Sequence, residues 1–163
     1  MNDESATQRI AAEAARMVVE TGLEYGPAKH KALRTLGLRR AAMPSNEEVE
    51  DEVREHIALF CADSQAQELT ALRAVALDWM LRLAEFRPHL AGAVWRGTAT
   101  RQSAVHIDLY CDDSKGAVIA LLNRGIDHDV DTLEVGSAAP VEVLTVSSPC
   151  PALGQPVTVH LFV

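Results

Sequence analysis

The residues most suited to chemistry lie in one stretch, His89 to Asp113, HLAGAVWRGTATRQSAVHIDLYCDD. His106 and Asp108 stand at alternate positions of an apolar run from Val105 to Cys111. Alternate residues of a strand project to the same face, so an imidazole and a carboxylate would share one side of it. Such a pair suits metal coordination or acid–base work, or forms the solvated face of an edge strand. A second apolar run, Leu90 to Trp95, stops at Gly97-Thr98. That dipeptide reads either as a strand-end turn or as a cradle for phosphate, with Arg96 and Arg101 close enough on either side to reach the anion. Asp112 and Asp113 read as cap and turn residues.

The elements that must position these groups fall into two halves. Residues 5 to 88 carry helical periodicity. One helix starts near Ser5 or Thr7 and stops at Gly22, and a second runs from Ala28 to Leu36 behind Pro27. A third, Glu47 to Cys61, is capped by Ser45 or Asn46 and carries the apolar stripe Val49, Val53, Ile57 and Phe60. A fourth runs from about Gln65 to Phe86 and ends at Arg87-Pro88. After the two central strands come a helix from Lys115 to Asn123 and three strand-like runs, Val130–Val135, Val141–Val146 and Val157–Val163. The order predicts an α+β protein: a helical region over 1–68, then a small mixed sheet with one helix over 69–163.

Composition narrows the function. Of 163 residues, 48% are hydrophobic and 23% charged, as in an ordinary globular protein. A net charge of −8 opposes general nucleic-acid binding, which needs surplus Lys and Arg. Cys61, Cys111 and Cys150 have no metal or disulfide spacing, so a reducing, cytoplasmic setting is expected. No apolar run reaches the roughly 18 residues that span a bilayer, so no membrane partner is expected. The phosphate-binding pattern G-x-x-x-x-G-K-[ST] and the dinucleotide pattern G-x-G-x-x-G are both absent.

A helix, an apolar strand closed by a Gly-Thr turn, and a strand carrying a paired hydrophilic face together resemble the nucleotidyltransferase superfamily related to DNA polymerase beta. The FRPHLAGAVWRGTA stretch and the AAR-to-AKHKA stretch are also similar to small bacterial nucleotidyltransferase-like proteins. The resemblance spans residues 69 to 146. It implies that Gly97 and Thr98, with Arg101, take a nucleotide's phosphates. It implies that Asp108 and a third acid, Glu142, hold Mg²⁺ or Mn²⁺ in catalysis. His106 stands where the family has its first acid, which suggests a degenerate site with His106 as an altered ligand or a base. Mg²⁺ prefers oxygen donors, so this departure weakens any metal-dependent nucleotidyl transfer.

Two readings of function follow. One is a degenerate nucleotidyltransferase-like protein that binds a nucleoside triphosphate or RNA. The other is a non-catalytic protein-interaction or dimerisation module. The cluster Lys29, His30, Lys31, Arg34, Arg39 and Arg40, followed by Glu47, Glu48, Glu50, Asp51, Glu52 and Glu55, fits either a polyanion dock or two solvated helix faces.

Overall fold

The computed structural model describes residues 3–163, with side chains from residue 6 onward. It is an α+β protein that divides into two compact units: Met1–Gln67 with Thr98–Ser103, and Glu68–Gly97 with Ala104–Val163. No helix among the described residues is long and apolar enough to cross a membrane.

The first unit is built on α1 (Asp3–Thr21), α2 (Tyr25–Leu36) and α3 (Asn46–Phe60). Ile10, Ala14, Ala28, Ala32, Val49 and Val53 form its fully buried centre. Four of these six come from α1 and α2 as three alanines and one isoleucine, and such small side chains let helices approach closely. α1 begins ahead of the expected caps, so Thr7 is interior and donates instead to the Ala42 carbonyl at 2.8 Å. The α3 start matches expectation. Ser45 Oγ accepts from the Glu48 N–H, and the Glu48 carboxylate accepts from the Ser45 N–H, a complete capping box. Lys29, one of the basic cluster, donates to the Pro44 carbonyl and to Asn46 Oδ1, which ties α2 to the entry of α3.

The segment 98–103 is held within this unit. Gln65 Nε2 donates to the Ala99 carbonyl at 2.8 Å, and Thr100 Oγ1 donates to the Val19 carbonyl. Gly22 has φ +73, and a Cβ there would stand 2.2 Å from the Gln102 carbonyl oxygen, so only glycine fits this approach.

The second unit holds α4 (Gln65–Arg82, which starts in the first), a 3-10 turn (Ala84–Phe86), β1 (His89–Ala91), α5 (Gly92–Arg96), β2 (Val105–Asp108), α6 (Lys115–Asn123), β3 (Asp129–Leu133), β4 (Val141–Ser148) and β5 (Val157–Phe162). The sheet order is β1-β2-β5-β4-β3, parallel at β2–β5 and antiparallel elsewhere. Val105, Ile107, Leu144, Val146, Val159 and Leu161 share one face and are buried. Ser148 lies on that face too, and its Oγ accepts from Trp79 Nε1 of α4 at 2.9 Å. The buried indole N–H thereby keeps a partner, and α4 is anchored on the apolar side of the sheet.

One expected strand is mostly helix. The run Leu90 to Trp95 gives only the three-residue β1 before turning into α5. Gly92, at φ +69, breaks the extended backbone, and the Gly97 N–H bonds back to the Ala93 carbonyl. Arg73 of α4 donates to the Val94 and Trp95 carbonyls, which a short helix would otherwise leave unpaired. β2 is also shorter than expected and ends at Asp108.

Burial raises the pKa of Glu52 on α3, and the charges of Glu55 and Asp51 add to the effect. Glu48, Asp51 and Glu52 line one cleft of about 510 Å³. A carboxyl whose folded pKa is raised contributes stability below its ordinary value of 4.5 and loses it as pH rises through the folded value. Glu52→Gln is therefore expected to raise the melting temperature at pH 7. The gain should vanish when the melt is repeated below the ordinary carboxyl range, because Glu52 is then protonated in both folded and unfolded chains.

Candidate functional site

The register of the sheet decides which side chains can meet. His106 pairs with His160 and Asp108 with Phe162 across β2–β5. His160 then pairs with Thr145, and Phe162 with Val143, across β4. Directly paired residues face the same way. The half-exposed face thus carries two parallel rows. One is Ala91, His106, His160, Thr145 and Asp129; the other is His89, Asp108, Phe162, Val143 and Asp131.

At the centre of these rows the rings pack together. His106 and His160 have centroids 5.5 Å apart, His106 and Phe162 5.3 Å, and His160 and Phe162 6.4 Å. His160 Nδ1 is hydrogen-bonded to Thr145 Oγ1 at 2.9 Å, which fixes the rotation of that ring. Beside Asp108, the His89 ring meets Tyr110 edge to face at 5.0 Å. Asp108 is half-buried and borders both an imidazole and a phenyl ring.

The expected site residues are distributed as follows. His106 and Asp108 do share a face, as alternation requires. Glu142 pairs with Thr132 and sits between Val141 and Val143, so it lies on the opposite face of the sheet from Asp108. The register does not bring Glu142 to the acid it was expected to join. The strand beside β2 is β5, and the side chains it presents there are His160 and Phe162.

Gly97 ends α5 at φ +83 rather than closing a strand. Thr98 is only 3% exposed, with its Oγ1 buried and without a hydrogen-bond partner, and Ala99 and Thr100 beside it are buried as well. Gly97 belongs to the second unit, while Thr98 and Arg101 belong to the first. The glycine that does border His106 is Gly92, which follows β1. A Cβ there would lie 3.0 Å from His106 Nδ1. Its signal in the sequence was present but masked, because an apolar run on both sides of Gly92 reads as one strand.

The acids after β2 act locally. Asp113 Oδ1 accepts from the Lys115 N–H at the start of α6. Asp112 meets Arg87 at 3.6 Å on the surface. Burial pushes the Cys111 thiol up, away from the thiolate form that reactivity requires.

A pair of Mg²⁺ or Mn²⁺ ions needs several oxygen donors around one point. On this face only Asp108 lies at the centre. Asp131 is in the same row but three strands away, on the order of 14 Å at the usual strand spacing. The donors here are one carboxylate and the imidazoles of His89, His106 and His160, and they do not fit the expected magnesium centre. Among the described residues no three His, Cys, Asp or Glu side chains form a metal-holding group.

Searches against protein-family models and against curated proteins find no match for this chain.

Gly92→Ala is expected to destabilise the protein by at least about 1 kcal/mol, because it combines a left-handed backbone with a contact on the His106 ring. Urea unfolding measures the loss. The companion Gly125→Ala also has positive φ but meets open space, so it should cost less.

Proposed function

We propose that the second unit is a nucleotidyltransferase-like domain that binds a nucleotide, free or within RNA, and has lost metal-dependent transfer. The observation that carries this reading is the convergence of His106, Asp108, His160 and Phe162 on one half-exposed sheet face. Aromatic and imidazole rings on central strands offer stacking surface to a base, worth about 1–3 kcal/mol per base. A neighbouring carboxylate accepts hydrogen bonds from a base's amino group or a ribose hydroxyl. Loss of transfer is supported by the donor set, in which the one central carboxylate, Asp108, has His89 and Phe162 as its paired neighbours and His106 two residues before it, while Glu142 faces the other way.

Calorimetry with the four nucleoside triphosphates tests this, run with Mg²⁺, with Mn²⁺ and with neither. At least one should bind, with an affinity that changes little on adding metal. Phe162→Ala should weaken it about tenfold, the effect of removing one stacking partner. Absence of binding by all four under all three conditions would remove the proposal.

A second reading, a dimerisation module, is favoured by a specific feature of the same unit. Leu77 and Leu81 on α4 are 57% and 69% exposed, and Ile119 and Leu122 on α6 are 51% and 63% exposed. Arg124, next after α6, donates to the Arg82 carbonyl, which places these two helix ends side by side. If that surface is buried in a dimer, light scattering will give twice the chain mass, and Leu81→Glu will return it to monomer. A wild-type monomer at high concentration sinks this second reading and leaves the first untouched.

A further inference from the structure

We infer that His106 and His160 form a cross-strand imidazole clamp for a borderline transition-metal ion such as Zn²⁺ or Ni²⁺, on the face where the resemblance led us to expect magnesium. The inference rests on the geometry of β2 and β5 and not on nucleotide binding. Two imidazoles that share one tetrahedral ion, each nitrogen about 2.0–2.1 Å from it, place their ring centres on the order of 5 Å apart. The observed separation is 5.5 Å, with the rings at 69° to one another.

The rotation of the His160 ring is also held by a hydrogen bond. Its Nδ1 is engaged by Thr145 Oγ1, and in the tautomer that donates from Nδ1 the coordinating nitrogen is Nε2. The clamp is built on paired neighbours of a central parallel ladder, so its two ligands cannot drift apart without breaking β2–β5. Imidazole nitrogen suits zinc and nickel and is a poor donor to magnesium. With two protein ligands, water completes the shell, and the ion would remain open to a further ligand.

The test uses the full chain, freed of metal by a chelator, in the absence of nucleotide. Calorimetry with ZnCl₂, NiCl₂ and MgCl₂ should show saturable binding of about one Zn²⁺ or Ni²⁺ per chain and none of Mg²⁺. The His106→Gln/His160→Gln double variant should abolish it. Thr145→Val should weaken it about tenfold by releasing the Nδ1 bond, while Asp131→Asn, on the same face but three strands from β2, should leave it in place. Nitrogen NMR of the wild-type imidazoles gives an answer that does not depend on the variants folding. Substoichiometric Zn²⁺ should shift the His106 and His160 signals before those of His30, His56, His89 and His128. Absence of Zn²⁺ and Ni²⁺ binding, binding that persists in the folded double variant, or first shifts at the other histidines would each overturn the clamp. Failure of nucleotide binding, by contrast, leaves it standing.

Discussion

The parallel pairing of β2 with β5 is the constraint on which the second unit depends. It sets Ile107 beside Leu161 and Val105 beside Val159 on the buried face, and by the same register His106 beside His160 on the other. A one-residue slip of β5 would send His160 into the apolar layer and Val159 and Leu161 out of it. Burying an imidazole without partners costs free energy, and exposing branched aliphatic residues forfeits their transfer energy. The hydrophobic layer under α4 therefore positions the polar cluster above it, although no side chain belongs to both.

Much of the architecture was legible because local chemistry dictates it. A Ser45 or Asn46 cap before an apolar stripe specifies a helix start; the structure puts Ser45 at the cap and adds the reciprocal bond from Glu48. Gly37 and Gly125 follow α2 and α6 with left-handed φ, as glycine past a helix end commonly does. Alternation within a single strand was equally readable, so the shared face of His106 and Asp108 held. Pairing between strands was not. Nothing local to Val141-Glu142-Val143 states which face Glu142 takes relative to a strand more than thirty residues away. Only the ladder through β5 decides it, and it decides against Asp108. His160 is hard to single out for a related reason: within the apolar run Val157–Val163 its imidazole reads as one more strand residue until a neighbour is assigned. The misplaced strand over Leu90 to Trp95 shows the ambiguity of short apolar runs, where Arg73, some twenty residues upstream, stabilises the helical choice.

The first unit illustrates a different economy of residues. Its centre relies heavily on alanine, so each contact contributes modest transfer energy and close helix approach does the rest. Polar ties then fix what small side chains leave loose. Lys29 holds the Pro44–Asn46 turn, Thr7 holds Ala42, and Gln65 holds the backbone of Ala99. Part of the basic cluster is thereby structural, and Arg39 and Arg40 are its members exposed outside any helix.

The place of β5 in the sheet has a consequence for biosynthesis. It is translated after the other four strands of this sheet, yet it occupies the middle, between β2 and β4. Until Val157–Phe162 emerges, those two strands lack their common neighbour, and each offers an open edge lined with valine, leucine and isoleucine. Unsatisfied edges of that kind recruit other nascent chains. The protein should thus need shielding by a holding chaperone for the interval between translation of β4 and insertion of the strand that closes the ladder.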